Sequence, residues 1–170
     1  MPTSALAVVP TVLNHMVALD PSSILDVGAG FGKYGVLFRE YCPKHPTMVG
    51  VEAWEPYVSD HRLRGIYDHL HVGDVLDLDD YTLNSTDVVF MGDVIEHLDK
   101  DRALELLTRI HRPMVINTPE HFFHNGDNLP WTEEHRSHWT LDDFRATGRV
   151  QREDVVFAGL VVTLGPTRSG

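Results

Sequence analysis

The sequence turns on residues 23–35, Ser-Ile-Leu-Asp-Val-Gly-Ala-Gly-Phe-Gly-Lys-Tyr-Gly. Residues 24–27 form a short apolar run with one acid, which predicts a buried strand. Gly28, Gly30 and Gly32 follow at alternate positions, and Tyr34, Val36, Leu37 and Phe38 then take up a helical spacing. A strand that turns through glycines into a helix brings backbone N–H groups and the positive end of a helix beside a ligand. Glycine serves there because a side chain would obstruct the ligand or the backbone angles. The stretch predicts a ligand with a nucleoside-like body lying across the turn.

Outward from this turn, strands and helices alternate. Val12, Leu13, Met16, Val17 and Leu19 give an amphipathic helix that stops at Asp20-Pro21. Strands are expected at 48–51, 70–72, 87–91 and 114–116, with helices from the glycine turn to about Tyr41, over 55–63, and from Asp99, a good N-cap, to about residue 110. Thr140 and Asp143 have capping-box spacing for a further helix. Residues 150–157 and 160–164 read as a terminal hairpin across Ala158-Gly159. The expectation is a doubly wound α/β fold. Its seven-stranded sheet is mostly parallel, with helices on both faces and an antiparallel C-terminal edge hairpin. Residues 1–170 form a single domain, with an N-terminal helix (1–21) packed on the core.

The chain holds 25 acidic and 14 basic residues, a net charge of −11 with neutral histidines. That balance speaks against nucleic acid or an anionic membrane as a partner, both of which call for a basic footprint. One cysteine, Cys42, forms no intramolecular disulfide and lies between Tyr41 and Pro43 without nucleophile context, so it reads as structural in a reducing, cytoplasmic setting. The apolar N-terminus has no basic n-region and is too short to span a bilayer.

Two readings of the glycines compete. From Gly30 the turn is Gly30-x-Gly32-x-x-Gly35, a dinucleotide fingerprint, with Glu52 positioned 20 residues after Gly32 for a ribose hydroxyl. That reading makes the chain a dinucleotide-dependent oxidoreductase. From Asp26 it is Asp-x-Gly-x-Gly-x-Gly, with an acid just before the turn. A carboxylate there repels a pyrophosphate and attracts a ligand carrying an ammonium and a sulfonium.

Ile-Leu-Asp-Val-Gly-Ala-Gly-Phe-Gly resembles the first motif of class I S-adenosylmethionine-dependent methyltransferases. The resemblance continues through Val-Gly-Val-Glu52, Val-Gly-Asp74-Val and Asp93-Val-Ile-Glu-His97-Leu, and covers about residues 22–165. It implies S-adenosylmethionine as cofactor, with the glycine turn and Asp26 holding the methionine moiety. Glu52 would accept from the ribose hydroxyls, Asp74 would contact the adenine amino group, and the Val75 N–H would face the ring. Gly92 and Asp93 would line the methionine side. Arg112-Pro113 stands where many members have a Pro-Gly-Gly-type turn, which changes a loop and leaves the cofactor assignment intact.

Methyl transfer from a sulfonium is an in-line displacement that needs positioning and a base for the acceptor's proton. Two segments can supply the base, 93–97 and 120–139. The second is crowded with His121, Phe122, Phe123, His124, Asn125, Asp127, Trp131, Glu133, Glu134, His135, His138 and Trp139, and reads as an acceptor-side loop. His97 is the first choice of base, His138 the second, with Asp93 beside them. Asp93-x-x-Glu96-His97 with His138 also resembles the Glu-x-x-Glu-His…His metal set of small-RNA 2′-O-methyltransferases. Asp93, Glu96, His97 and His138 are therefore candidate ligands for Mg²⁺, Mn²⁺ or Zn²⁺. The expected activity is methylation of an O or N nucleophile on a small-molecule acceptor. The alternatives are a metal-dependent 2′-O-methyltransferase acting on RNA ends and a non-catalytic S-adenosylmethionine-binding protein.

Overall fold

The computed structural model describes residues 4–121, 134–157 and 159–167. The strands are β1 Ser23–Val27, β2 Thr47–Glu52, β3 His69–Val72, β4 Val88–Gly92, β5 Met114–Pro119, β6 Val150–Val156 and β7 Gly159–Leu164. They form one sheet in the order β3-β2-β1-β4-β5-β7-β6, parallel as far as β5 and antiparallel where β7 meets β5 and β6. The helices are α1 Val9–Leu19, α2 Lys33–Tyr41, α3 Glu55–Asp60, α4 Asp80–Leu83, α5 Lys100–Arg109 and α6 Leu141–Ala146. This is the doubly wound arrangement the sequence calls for.

Strand side chains alternate between two cores. Ile24, Met48, Phe90 and Val115 pack with Val12, Met16, Phe38 and Val58, on the side of α1, α2 and α3. Leu25, Val27, Val89, Met91 and Ile116 pack with Leu83, Leu106, Leu107 and Phe144, on the side of α4, α5 and α6. Burial on both faces explains why these strands read as continuous apolar runs. Because β1 and β4 are neighbours at the centre, the winding reverses between them. A crevice opens beyond their carboxyl ends, where doubly wound sheets bind ligands.

Several boundaries differ from the sequence expectation. The helix after β2 ends at Asp60, since Arg62 adopts a left-handed backbone (φ 55) and the chain tightens into a 3-10 turn at Leu63–Gly65. The short α4 was not anticipated; the Asp79 carboxylate caps it by accepting from the Thr82 N–H at 2.7 Å. β5 continues to Pro119 because β7 supplies an antiparallel partner for Asn117, Thr118 and Pro119. Asp99 occupies the N-cap of α5 without a side-chain capping bond, whereas the Thr140–Asp143 capping box of α6 is fully formed.

The N-terminal helix is tied to the far end of the chain. His15 is buried, with Nδ1 2.8 Å from Thr163 Oγ1 and Nε2 2.7 Å from Asp154 Oδ2. Gly159 sits so close to Val8 that a Cβ there would lie 2.7 Å from Val8 Cγ1. Cys42 is buried, and burial pushes its thiol up, in keeping with a structural role. No helix among the described residues is long and apolar enough to cross a membrane.

Candidate active site

Gly28, Gly30 and Gly32 all take positive φ (74, 53 and 76), and a Cβ on Gly28 would meet Val94 Cγ2 at 2.3 Å. The turn needs glycine for its backbone and for the close passage of the β4 exit. Its N–H groups are committed within the protein. Those of Gly28 and Ala29 donate to the Val51 carbonyl at 2.9 and 3.0 Å, and that of Gly32 donates to the Ala29 carbonyl at 2.8 Å. The Gly30 N–H donates to Glu52 Oε2 at 2.8 Å. A pyrophosphate laid on the turn would find these four donors already used, which removes the physical basis of the dinucleotide reading. What the turn offers is close approach.

Beyond it lies a cavity of about 460 Å³. Gly28 and Gly30 line it from the β1 exit, Glu52 from β2, Gly73, Asp74 and Val75 from β3, and Gly92, Asp93, Glu96 and His97 from β4. The four acids expected at strand ends thus divide three to one, with Glu52, Asp74 and Asp93 lining one space. Glu52 is buried, and its Oε1 accepts from the Trp54 N–H at 2.8 Å. Asp74 caps a 3-10 turn at Val75–Asp77 through Oδ1, 2.9 Å from the Leu76 N–H.

Asp26 is elsewhere. β1 points it to the α2 side, beneath the turn, where its Oδ2 accepts from the Tyr67 hydroxyl at 2.6 Å. Neither Asp26 nor Gly32 lines the cavity. Burial raises the Asp26 carboxyl to about 7, against the lowering effect of Tyr67. The sign of the ligand site therefore comes from Glu52, Asp74 and Asp93. A folded-state value above the unfolded one means stability that is present in full below about 3.8 and is lost as pH rises through about 7. Relative to Asp26→Asn, the wild-type chain should lose up to about 1.4 kcal/mol per pH unit between about pH 5 and 7, and no more above that. Urea denaturation of both proteins across that range measures the difference; parallel stability curves would remove the carboxyl from this account.

At the other end of the cavity, Asp93 opens the β4 exit in a left-handed conformation (φ 54). It is held by Asn117, whose carbonyl accepts the Asp93 N–H at 2.8 Å and whose Nδ2 donates to Oδ1 at 3.0 Å. Such strain in a non-glycine residue persists only where its surroundings over-determine it. Glu96 is buried on a 3-10 turn at Ile95–His97; its Oε2 accepts from Thr118 Oγ1 at 2.9 Å, while Oε1 is buried with no hydrogen bond. Burial, then the nearby Asp93, pushes this carboxyl well above the usual range.

Residues 134–139 run alongside that turn. The Arg136 and Ser137 N–H groups donate to the Glu96 carbonyl at 2.8 and 3.0 Å, and Trp139 Nε1 donates to the Ile95 carbonyl at 3.2 Å. Odd-numbered side chains turn inward and even-numbered ones outward. His135 therefore meets His97 with ring centroids 4.8 Å apart, and the ligand atoms of Glu96, His97 and His135 lie within 4.8 Å of one another. His138 is exposed, with Nε2 2.8 Å from the Glu120 carbonyl, and joins neither the cavity nor the cluster. Asp93 is also outside the cluster. Of the expected metal set, Asp93 and His138 thus lie outside the group whose ligand atoms meet among the described residues, where His135 joins Glu96 and His97. The period-two spacing His135-x-Ser137-x-Trp139, anchored by a buried tryptophan, is the sequence signal that picks out His135. Of the acceptor-side loop, Phe122, Phe123, His124, Asn125, Asp127, Trp131 and Glu133 lie outside the described residues. Lys33 also lines the cavity, a position the motif reading passed over.

Residues 25–116, just over half of the chain, match the family model for a methyltransferase domain. No curated protein matches the sequence. Among solved structures, the methyltransferase domain of bacterial CtHen1-CN is similar at 18% identity and a TM-score of 0.66, covering 92% of this chain and 96% of that one. The PH0226 protein from Pyrococcus horikoshii OT3 is similar at 16% identity and a TM-score of 0.70, covering 95% of this chain and 88% of that one. The N-terminal domain of EvdMO1, solved in the presence of SAH and D-fucose, is similar at 16% identity and a TM-score of 0.66, covering 98% of this chain and 85% of that one. These structures share the fold, and the family match supplies the activity. The chain belongs to the methyltransferase-domain family and is a class I S-adenosylmethionine-dependent methyltransferase.

Proposed function

We propose that the enzyme methylates an oxygen or nitrogen of a small-molecule acceptor, with His97 Nε2 at the acceptor end as a metal ligand or, in the metal-free enzyme, as the base for the acceptor's proton. One observation carries this reading: a single cavity joins the glycine turn, Glu52 and Asp74 at one end to Glu96, His97 and His135 at the other. On this reading Glu52 faces the ribose and Asp74 and Val75 face the adenine. S-adenosylmethionine bound there would supply an electrophilic methyl group to the acceptor's lone pair and would depart as a neutral thioether. The proton released from the acceptor passes to a base. His97 Nδ1 is 3.0 Å from the Glu134 carbonyl. A carbonyl only accepts, so Nδ1 carries the hydrogen and Nε2 keeps the lone pair.

The Glu96–His97–His135 cluster supports a divalent metal at the acceptor end. One carboxylate and two imidazoles suit Mn²⁺ or Zn²⁺, and the unpaired Glu96 Oε1 offers a donor already stripped of other partners. A metal held there would supply Lewis acidity to an acceptor hydroxyl, favouring oxygen as the nucleophile. The fold likeness to the small RNA methyltransferase HEN1, at 19% identity and a TM-score of 0.68, raises RNA as an alternative acceptor. The net charge of −11 and a cavity wall with four acids argue for a small acceptor instead.

Isothermal titration should show S-adenosylmethionine or S-adenosylhomocysteine binding at micromolar levels. Label from methyl-tritiated donor should then reach members of a panel of hydroxyl and amine metabolites, and not a short RNA. Absence of binding by both donor and product would sink the reading, and transfer to the RNA alone would replace it.

A further inference from the structure

The wall of the cavity changes character along the strand order. β2 and β3 bring Glu52 and Asp74 to one end, whereas β5 and β7, beyond β4, bring Thr118, Pro119 and Gly159 to the other. Thr118 is the residue that donates to Glu96, and its neighbour Pro119 pairs with Gly159. The start of β7 is therefore one strand away from the hydrogen bond that holds the acceptor-end carboxyl. Around it the cavity wall is apolar, with Val8, Leu98, Pro119 and Phe157 among its residues.

Phe157 breaks local rules there. Val156 pairs with Gly159, so Phe157 opens a two-residue hairpin connection, where Asn-Gly, Asp-Gly or a leading glycine is usual. It takes a left-handed backbone (φ 59), which is rare and costly for a bulky residue. Its side chain is 85% exposed and yet lines the cavity. Single apolar residues on a surface are ordinary, but one held in a strained backbone at a cavity rim is not. Neither the turn nor burial in a core accounts for a phenyl ring at this position. Its neighbour Gly159, crowded by Val8, keeps the hairpin close against the N-terminal segment. The occupant follows from continuity: the cofactor fills the end of the cavity at β2 and β3, so a ring on the β7 side meets the acceptor.

We propose that Phe157 covers the body of the acceptor, and that the acceptor is a ring-bearing hydroxyl compound of the phenol class rather than a polyol. This rests on the small-molecule reading above and names the class of molecule that reading leaves open. A flat ring gains apolar contact with Val8, Leu98 and Pro119 and a ring–ring contact with Phe157. A sugar laid against the same side chains would surrender hydration of its hydroxyls without compensation. The reacting hydroxyl then faces His97, and the strain at Phe157 is retained because it holds the ring where the acceptor needs it.

The test offers two probes, 2-naphthol and D-glucose, to the protein loaded with S-adenosylhomocysteine. Calorimetric titration should show millimolar or tighter binding of 2-naphthol and none of glucose. Phe157→Asn should weaken 2-naphthol by roughly tenfold, through loss of the ring contact, and Phe157→Trp should restore it to within about threefold. Asparagine tolerates a left-handed backbone, so Phe157→Asn should unfold at the same temperature as wild type or higher. Its affinity for S-adenosylhomocysteine should stay within about twofold, as for an exposed side chain remote from that ligand. Wild-type protein that ignores 2-naphthol, or binds glucose in its place, overturns the proposal, as does equal binding of 2-naphthol by wild type and Phe157→Asn. Parallel losses of 2-naphthol and S-adenosylhomocysteine would reduce Phe157 to a brace of the hairpin and overturn it too. In all of these outcomes, binding of S-adenosylhomocysteine by the wild-type chain leaves the methyltransferase reading standing. A wild-type chain that does not bind it overturns both.

Discussion

Glu52→Gln should raise the dissociation constant for S-adenosylhomocysteine by roughly 100-fold and lower stability by about 2 kcal/mol, although the two side chains are nearly isosteric. Both carboxylate oxygens accept from backbone donors, Oε2 from Gly30 and Oε1 from Trp54. An amide has one acceptor oxygen, so its NH₂ must confront one of those two N–H groups. The buried donor then loses its partner and gains a repulsive neighbour. If the amide turns its nitrogen to Gly30, the glycine turn loosens; if to Trp54, the β2 exit does. Either shift widens the gap that the nucleoside must fill, and the variant also brings one carboxylate fewer for a ribose to donate to. Calorimetric titration together with urea unfolding at neutral pH separates affinity from stability. Binding within threefold of wild type would show that Glu52 braces the turn without touching the ligand.

The second large effect concerns the histidines. His135→Ala should weaken Mn²⁺ binding by on the order of 100-fold and abolish methyl transfer, since it removes a whole ligand rather than an outer-shell support. His138→Ala should leave both within about twofold, because removing a solvent-facing side chain changes little. The two residues lie three apart, carry the same side chain and precede the same tryptophan, yet only one turns inward. Excess chelator should silence the wild-type enzyme as fully as His135→Ala does. Binding followed by manganese electron paramagnetic resonance reads the first effect without needing the acceptor. Full activity in chelator would remove the metal and return His97 to service as a simple base. A loss in His138→Ala with retention in His135→Ala would reverse the facing of the whole segment.

Much of this was legible in the chain. Residues 24–27, 48–51 and 87–91 announced buried strands because both faces of a central parallel strand are covered, and continuous apolar runs follow. The glycine spacing announced a close approach for the same local reason. Glu52, Asp74 and Asp93 sit at the carboxyl ends of strands or within two residues of them, so their placement needed only the strand order.

The misreadings share a cause: each depended on which way a side chain turns or on a partner far away in sequence. Asp26 looked like a ligand-facing acid, but strand parity sends it to the α2 side, where Tyr67, 41 residues on, claims it. His138 and His135 differ only in the parity of an extended segment, set by Trp139 and Ser137 against Ile95. Lys33 was hidden inside a motif whose glycines drew the attention, although it lines the cavity with them.

The burial of His15 against Thr163 and Asp154 has a consequence for how the enzyme comes into being. The wall that Ser4, Ala5 and Val8 give to the cavity rests on α1, and α1 is fastened to β6 and β7, far along the sequence. As the chain leaves the ribosome, the central parallel strands can assemble while that wall has nothing to lean on. Contacts spanning 148 and 139 residues close only after β6 and β7 have been synthesised. The binding crevice is therefore completed only once β6 and β7 have emerged, and a nascent chain holding every motif of the cofactor site would still lack the enclosure that makes those motifs useful.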